Sequence, residues 1–222
     1  FNSTAALIMA FLLVFIPVFA FADDVSNASS VSDVSGVSSQ AVVSDTSEPE
    51  AEPVITSGNA IVVMSVETGQ ILLNTANGRE VDPTCATKLM TAMLAFDMAN
   101  GLDNQVTVDA EALKNIGKKG DISAPMLGLR AGNTATVRQL LQATLISAAN
   151  DACNALAYSV SGGDIAGFVE KMNARATEIG GEHTYFTNTT GLYDGEAYTT
   201  VEDVAKIAAA FYRYNTLLDI SS

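Results

Sequence analysis

Basic residues are scarce in this 222-residue chain: 11 Lys and Arg stand against 25 Asp and Glu, which gives a formal net charge of -14. No Lys or Arg precedes Arg79, so the first third of the chain supplies negative charge only. Nucleic-acid binding depends on a basic patch that contacts phosphates, and this balance therefore argues against it. The charge says little about the fold, because net charge mainly affects solubility and association.

Histidine and cysteine are also rare, with a single histidine, His183, and two cysteines, Cys85 and Cys153. They do not have the spacing of metal ligands, and the sequence has no glycine-rich phosphate loop, so we expect neither a metal nor another cofactor. We assign His183 to a surface loop. An even number of cysteines in an exported protein leaves a Cys85–Cys153 disulfide open as an alternative to free thiols.

Two segments precede the predicted folded domain. Residues 5–22 are almost wholly apolar and end in Ala20-Phe21-Ala22, the small-x-small form of a signal-peptidase site. Residues 1–22 are therefore predicted to be a signal peptide, with an uncleaved anchor as the alternative. Residues 23–56 are acidic and rich in serine, which predicts a disordered linker. We expect an exported protein of the cell wall or the outer face of the cytoplasmic membrane, and membrane association is left open.

The stretch from Asp82 to Ala95 predicts a helix that begins beside a nucleophile. Pro83 ends the preceding segment, and good helix formers follow with apolar residues at helical spacing. Cys85 is then expected at the mouth of the helix, with Lys88 one turn inside on the same face. The helix dipole favours an anionic nucleophile there, and Lys88 can accept its proton where burial lowers the lysine pKa. A buried helix start with a core cysteine is the alternative interpretation.

The same stretch resembles the Ser-x-x-Lys motif of acyl-transfer enzymes, specifically the low-molecular-mass penicillin-binding proteins that are D-alanyl-D-alanine carboxypeptidases. Their sequence is usually close to Pro-Ala-Ser-x-Thr-Lys-Ile-Met-Thr-Ala, and here Cys85 stands in the place of the serine and Lys88 on the lysine. In that family a hairpin precedes the helix. Here 60–64 predicts a strand buried on both faces, and 71–73 predicts its partner after a turn at 67–70.

A second run, from Ile146 to Ala157, resembles the family's Ser-Gly-Asn-Asp-Ala-Ala-x-Ala-Leu-Ala. Asn150 falls on the asparagine, and the resemblance implies that its amide holds the lysine and the substrate's carbonyl. Ala148 falls on the serine that relays protons in the family, while Ser147 comes one residue early. A shift of Ser147, a substituting water or a lost relay all remain open. From the residues alone, a helix N-cap is the alternative interpretation of Asn150.

A third run, from Phe186 to Leu192, resembles the family's Phe-x-Asn-x-x-Gly-Leu, a structural loop near the active site. Class A β-lactamases lack this loop and carry a Glu-x-x-Leu-Asn segment with no equivalent here, so a β-lactamase is the less favoured alternative. No Lys-Thr-Gly occurs in the chain, although the family has this motif on a later strand. We therefore expect 57–222 to be the N-terminal part of a catalytic domain from a longer protein, and to be inactive alone.

Three further helices are predicted, after the N-cap candidates Thr136 and Thr200 and over 165–179. The resemblance implies an α+β fold of the penicillin-binding and β-lactamase type, with a helical subdomain on one face of an antiparallel sheet. It implies a D-alanyl-D-alanine carboxypeptidase that acts on peptidoglycan stem pentapeptide through an acyl-enzyme and that β-lactams inhibit. The implied catalytic residues are Cys85, Lys88 and Asn150. A catalytically weak penicillin- or peptidoglycan-binding homologue is the main alternative.

Overall fold

The computed structural model describes residues 11–15, 60–117 and 124–222. Apart from strand β1 (Phe11–Phe15), the predicted signal peptide at 1–22 lies outside the described residues, as does the predicted linker at 23–56. β1 runs antiparallel to β2 (Ile61–Ser65). Within the described ranges, no helix combines the length and apolar character that a membrane crossing requires.

Short antiparallel pairings connect the remaining strands. These strands are β3 (Ile71–Asn74), β4 (Glu80–Val81), β5 (Gln105–Thr107), β6 (Thr134–Thr136) and β7 (Thr199–Thr200). β1, β2 and β3 form one sheet in that order, β4 pairs with β7, and β5 pairs with β6. The predicted hairpin before the first helix is therefore confirmed as β2 and β3.

Helices hold more of the described residues than the strands do. They are α1 (Thr84–Met98), α2 (Val137–Ile146), α3 (Asn150–Val160), α4 (Ile165–Glu178), α5 (Val201–Phe211) and α6 (Asn215–Ile220), with a 3-10 turn over Glu111–Leu113. Both predicted N-caps are confirmed: Thr136 accepts from the Gln139 N–H in a capping box, and Thr200 accepts from the Asp203 N–H.

The prediction that the first strand is buried on both faces is wrong. Burial alternates along β2, with Val62 and Met64 buried and Ile61 and Val63 only half-buried. The buried side chains of β2 pack on α5, which covers one face of the hairpin. The apolar run therefore reflects β-branched residues suited to a strand rather than cover on both sides.

Helix α1 lies at the centre of the fold, in contact with α2, α3, α4 and α5. Its buried face meets large side chains from each neighbour, so one contiguous core holds the helices together. Burial of each large apolar side chain contributes roughly 1.5–3 kcal/mol. The largest fully buried members include Met90, Met93, Leu140, Leu141, Leu156, Phe168, Met172, Phe186 and Ile207. The start of α1 is thus placed by the buried core that surrounds this helix.

The buried carboxylate of Asp203 ties α5 to the chain that precedes it. One oxygen accepts from the His183 N–H at 2.8 Å and the Thr184 hydroxyl at 3.0 Å, and the other meets Lys206 Nζ at 2.8 Å. We expect Asp203→Ala to lower the free energy of unfolding by about 2–4 kcal/mol, because these donors lose their acceptor.

Urea denaturation checks this expectation, with Asp164→Ala as the matched control. Asp164 is an exposed N-cap whose carboxylate accepts from the Gly167 N–H at 2.9 Å and from no other donor among the described residues. Its loss should cost about 1 kcal/mol. A destabilisation by Asp203→Ala no larger than that of Asp164→Ala would contradict the assigned role.

Candidate active site

Cys85 is the second residue of α1, and its side chain is exposed. The first turn is fixed by Asp82, whose carboxylate accepts from the Thr84 N–H at 3.0 Å, and by the Pro83 carbonyl, which accepts from the Ala86 N–H at 2.7 Å. No acceptor for the Cys85 N–H is recorded among the described residues, as expected for the first N–H groups of a helix. The exposed thiol is therefore available to a carbonyl group.

Lys88 lies one turn further along α1 and is half-buried. Its Nζ donates to the backbone carbonyl of Thr190 at 2.5 Å. Burial lowers the pKa of the Lys88 ammonium, while the neighbouring sulfurs of Cys153 and Cys85 act in the opposite direction. A lysine with a lowered pKa holds more free amine near neutral pH, which suits it to the part of a general base.

Cys153 is a second thiol near Lys88, buried in the first half of α3. It donates to the Thr189 carbonyl at 3.1 Å. Burial raises its pKa to about 12, and the Lys88 charge acts in the opposite direction. Both cysteines are free thiols, so the structure does not form the alternative Cys85–Cys153 disulfide.

We expect iodoacetamide to label Cys85 in the native chain and to leave Cys153 unmodified at mildly alkaline pH. Cys85 is exposed, whereas the Cys153 thiol is buried with a pKa of about 12. Peptide mass spectrometry locates the label, and denaturation in urea serves as the control in which both thiols react. Native labelling of Cys153 as fast as Cys85 would contradict the assignment.

The loop from Phe186 to Leu192 lies against the start of α1. Gly191 has a φ of +73°, and a Cβ there would stand 2.2 Å from the Thr84 carbonyl oxygen, so only glycine permits this contact. One turn beyond Lys88, the hydroxyl of Thr91 donates to the Thr189 carbonyl at 2.7 Å. The loop therefore contacts α1 on both sides of the lysine, which confirms the predicted position of this motif.

Asn150 begins α3 and is buried, but it is not the N-cap, which is Ala149. The N-cap interpretation is therefore wrong. Its Nδ2 donates to the Ile116 carbonyl at 3.1 Å, and its backbone N–H donates to the Pro125 carbonyl at 2.7 Å. Its Oδ1 is buried and has no partner among the described residues. These recorded contacts do not join Asn150 to Lys88, and its role toward a substrate stays a prediction.

Ser147 and Ala148 occupy the connection between α2 and α3. Ser147 is the C-cap of α2 with an exposed side chain, and Ala148 adopts a left-handed conformation with a φ of 49°. Among the described residues, no contact of Ser147 with Lys88 or Cys85 is recorded. Ser147 therefore does not take the position of the relay serine, which the motif match assigns to Ala148.

The single histidine, His183, is exposed in a turn, which confirms its predicted place. Two neighbours of Lys88 were not identified from the sequence: the carbonyl of Thr190 and the thiol of Cys153. Every residue has a backbone carbonyl, so the sequence does not indicate which carbonyl will accept from Lys88. The one available signal was the Phe-x-Asn-x-x-Gly-Leu match, which located the loop but not its contacts.

Comparison with known proteins identifies the same family that the motifs indicate. A family model described as D-alanyl-D-alanine carboxypeptidase matches residues 45–221. The chain is 29% identical over 156 residues to D-alanyl-D-alanine carboxypeptidase DacF of Bacillus subtilis, covering 70% of this chain and 39% of that protein. It is 30% identical over 151 residues to DacB2 of Mycobacterium tuberculosis, covering 67% of this chain and 48% of that protein.

The backbone agrees with the sequence comparison. The crystal structure of penicillin-binding protein 6B from Escherichia coli superposes with a TM-score of 0.65 at 28% identity, over 73% of this chain and 52% of that one. The predicted α+β fold of the penicillin-binding type is thereby confirmed. The chain spans about half, or less, of the length of the curated relatives it matches.

Proposed function

Because the chain belongs to the D-alanyl-D-alanine carboxypeptidase family, we propose that Cys85 is the nucleophile of a peptidase acting on peptides that end in D-alanyl-D-alanine. One observation carries this proposal: an exposed thiol opens α1 one turn before a half-buried lysine whose pKa is lowered by burial. A nucleophile beside a base with a lowered pKa is the usual arrangement for covalent catalysis. The substrate class is that of the peptidoglycan stem peptide.

In the proposed reaction, the Cys85 thiol transfers its proton to Lys88 Nζ as the sulfur attacks the carbonyl carbon of the penultimate D-alanine. In this proposal the Cys85 N–H donates to the carbonyl oxygen while negative charge develops there. Collapse breaks the peptide bond, and the leaving amine of the terminal D-alanine takes up a proton from the Lys88 ammonium. Water then attacks the thioester, which releases the shortened peptide as a carboxylate and restores the thiol.

Asn150 is proposed to orient the substrate's peptide carbonyl, with its buried amide near the start of α3. We also propose that β-lactams, which carry a strained amide carbonyl, acylate the same thiol. Export to the cell wall or the outer face of the membrane is part of the proposal, because the apolar segment at 5–22 resembles an export signal and the substrate is extracytoplasmic.

A second candidate function is covalent binding without turnover. Two departures in the site favour it: Cys85 replaces the family's serine, and Ala148 stands where the relay serine is expected. Ser147 precedes Ala148 directly in the sequence, and its hydroxyl is exposed at the end of α2. Such a protein would form the thioester but hydrolyse it slowly.

Steady-state release of D-alanine from a tripeptide ending in D-alanyl-D-alanine separates the two functions. The complete gene product is the right sample, because the chain spans about half, or less, of the length of the curated relatives it matches. Sustained release that disappears in Cys85→Ala supports the peptidase, and a single stoichiometric burst supports the binder. Release that persists in Cys85→Ala would overturn the assignment of the nucleophile.

A further inference from the structure

The carboxamide of Asn188 lies at the centre of the loop that carries the Lys88 acceptor. Its Oδ1 accepts from the Thr190 N–H and hydroxyl, both at 3.1 Å, and from the Gly191 N–H at 2.8 Å. Its Nδ2 donates to the Leu192 carbonyl at 2.9 Å. One side chain thus fixes three consecutive residues, as asparagine does in turns.

The conformation that Asn188 fixes determines where two carbonyl groups point. The Thr190 carbonyl meets Lys88 Nζ at 2.5 Å, and the preceding Thr189 carbonyl accepts from Thr91 and Cys153. Gly191 holds the same loop against the first turn of α1. A change in the turn at Asn188 would therefore move the acceptor of the lysine.

We propose that Asn188 is a positioning residue, whose carboxamide holds the Thr190 carbonyl on Lys88 and so fixes the place of the amine relative to Cys85. A lysine side chain has several rotamers, and a fixed acceptor selects one arrangement of the amine. A neutral amine donates one N–H to Thr190 while its lone pair stays free to accept the thiol proton. This inference rests on the proposed role of Lys88 as the base.

Asn173, which lies on α4, offers a matched control because its carboxamide contacts the same loop. Its Oδ1 accepts from the Phe186 N–H at 2.7 Å, and its Nδ2 donates to the Phe186 carbonyl at 2.9 Å. The same chemical group therefore makes the same kind of backbone contact at the opposite end of the loop. Among the described residues, Asn173 makes no hydrogen bond to Thr190 or Lys88, so its loss loosens the loop without releasing the acceptor.

Competitive labelling with acetic anhydride across a pH series measures the effect on Lys88 in the full chain. The midpoint of the labelling profile gives the pKa of the amine, its plateau gives the accessibility, and the exposed Lys171 serves as internal reference. Burial is the main cause of the lowered pKa of Lys88. We expect Asn188→Ala to open the loop to water and to move the midpoint upward, toward the ordinary lysine value of 10.5.

Asn188→Ser should give an intermediate midpoint, because a serine hydroxyl makes the same turn contact more weakly. Asn173→Ala should leave the labelling midpoint of Lys88 at the value of the unsubstituted protein, even if it lowers stability as much as Asn188→Ala does. The proposal is overturned if Asn188→Ala leaves the midpoint unchanged or if Asn173→Ala moves it equally. If Asn188→Ala fails to fold, an unchanged midpoint in Asn188→Ser overturns it.

The labelling result is independent of the proposed function, since it needs no substrate. If the complete gene product formed no thioester, the proposed function would be wrong. The difference in labelling midpoint between the unsubstituted protein and the Asn188 variants would still support the positioning role. If the unsubstituted protein and Asn188→Ala formed the thioester equally well and had identical labelling midpoints for Lys88, only the positioning role would be wrong.

Discussion

Lys88→Ala should lower the rate at which a D-alanyl-D-alanine peptide acylates Cys85 by about 10²–10⁴-fold. Lys88 is the amine one turn from the thiol, and its pKa is lowered by burial, so the variant removes the group that takes the proton. Stopped-flow or quenched mass spectrometry of the complete gene product gives the acylation rate directly.

His183→Ala is the control for this prediction, because the imidazole is exposed in a turn. It should leave acylation unchanged. Comparable losses from the two variants would show that neither measures a catalytic base, and an unchanged rate in Lys88→Ala would contradict the assigned chemistry.

The thioester on Cys85 should accumulate during turnover, because hydrolysis is slower than acylation. A C–S bond is longer than a C–O bond and displaces the carbonyl in a site shaped for an ester, and a misplacement near 1 Å can cost about 100-fold in rate. The acylated fraction at steady state measures this directly.

Cys85→Ser tests the origin of the slow step. Turnover should rise in this variant if Ser147 or a water molecule relays protons, and should stay low if Ala148 is the defect. Ser147 is exposed and Ala148 is left-handed, so we expect the largest gain in the double variant Cys85→Ser/Ala148→Ser. Turnover in that double variant no higher than in the parent would contradict both explanations.

Local signals predicted much of the fold from the sequence. The N-caps at Thr136 and Thr200 and the start of α1 at Pro83 depend on neighbouring residues, so their patterns are visible in a short stretch. The pairing of Cys85 with Lys88 follows from helical spacing for the same reason. A motif match added the position of the loop at 186–192.

Contacts between residues far apart in the chain could not be predicted from the sequence. The one-sided burial of β2 depends on which helix covers it, and its apolar run looked like a fully buried strand. The side-chain amide of Asn150 donates to the backbone carbonyl of Ile116, which lies 34 positions earlier in the chain. The acceptor of Lys88 is a backbone carbonyl 102 positions away, which no residue type reveals.

The intact mass of the complete gene product after mixing with a D-alanyl-D-alanine peptide tests the central claim most directly. We expect a mass increase equal to the acyl group, located on Cys85 by peptide mapping and lost in Cys85→Ala. A protein that gains no adduct, and whose Cys85 is found bonded to Cys153 under oxidising conditions, would contradict a catalytic thiol.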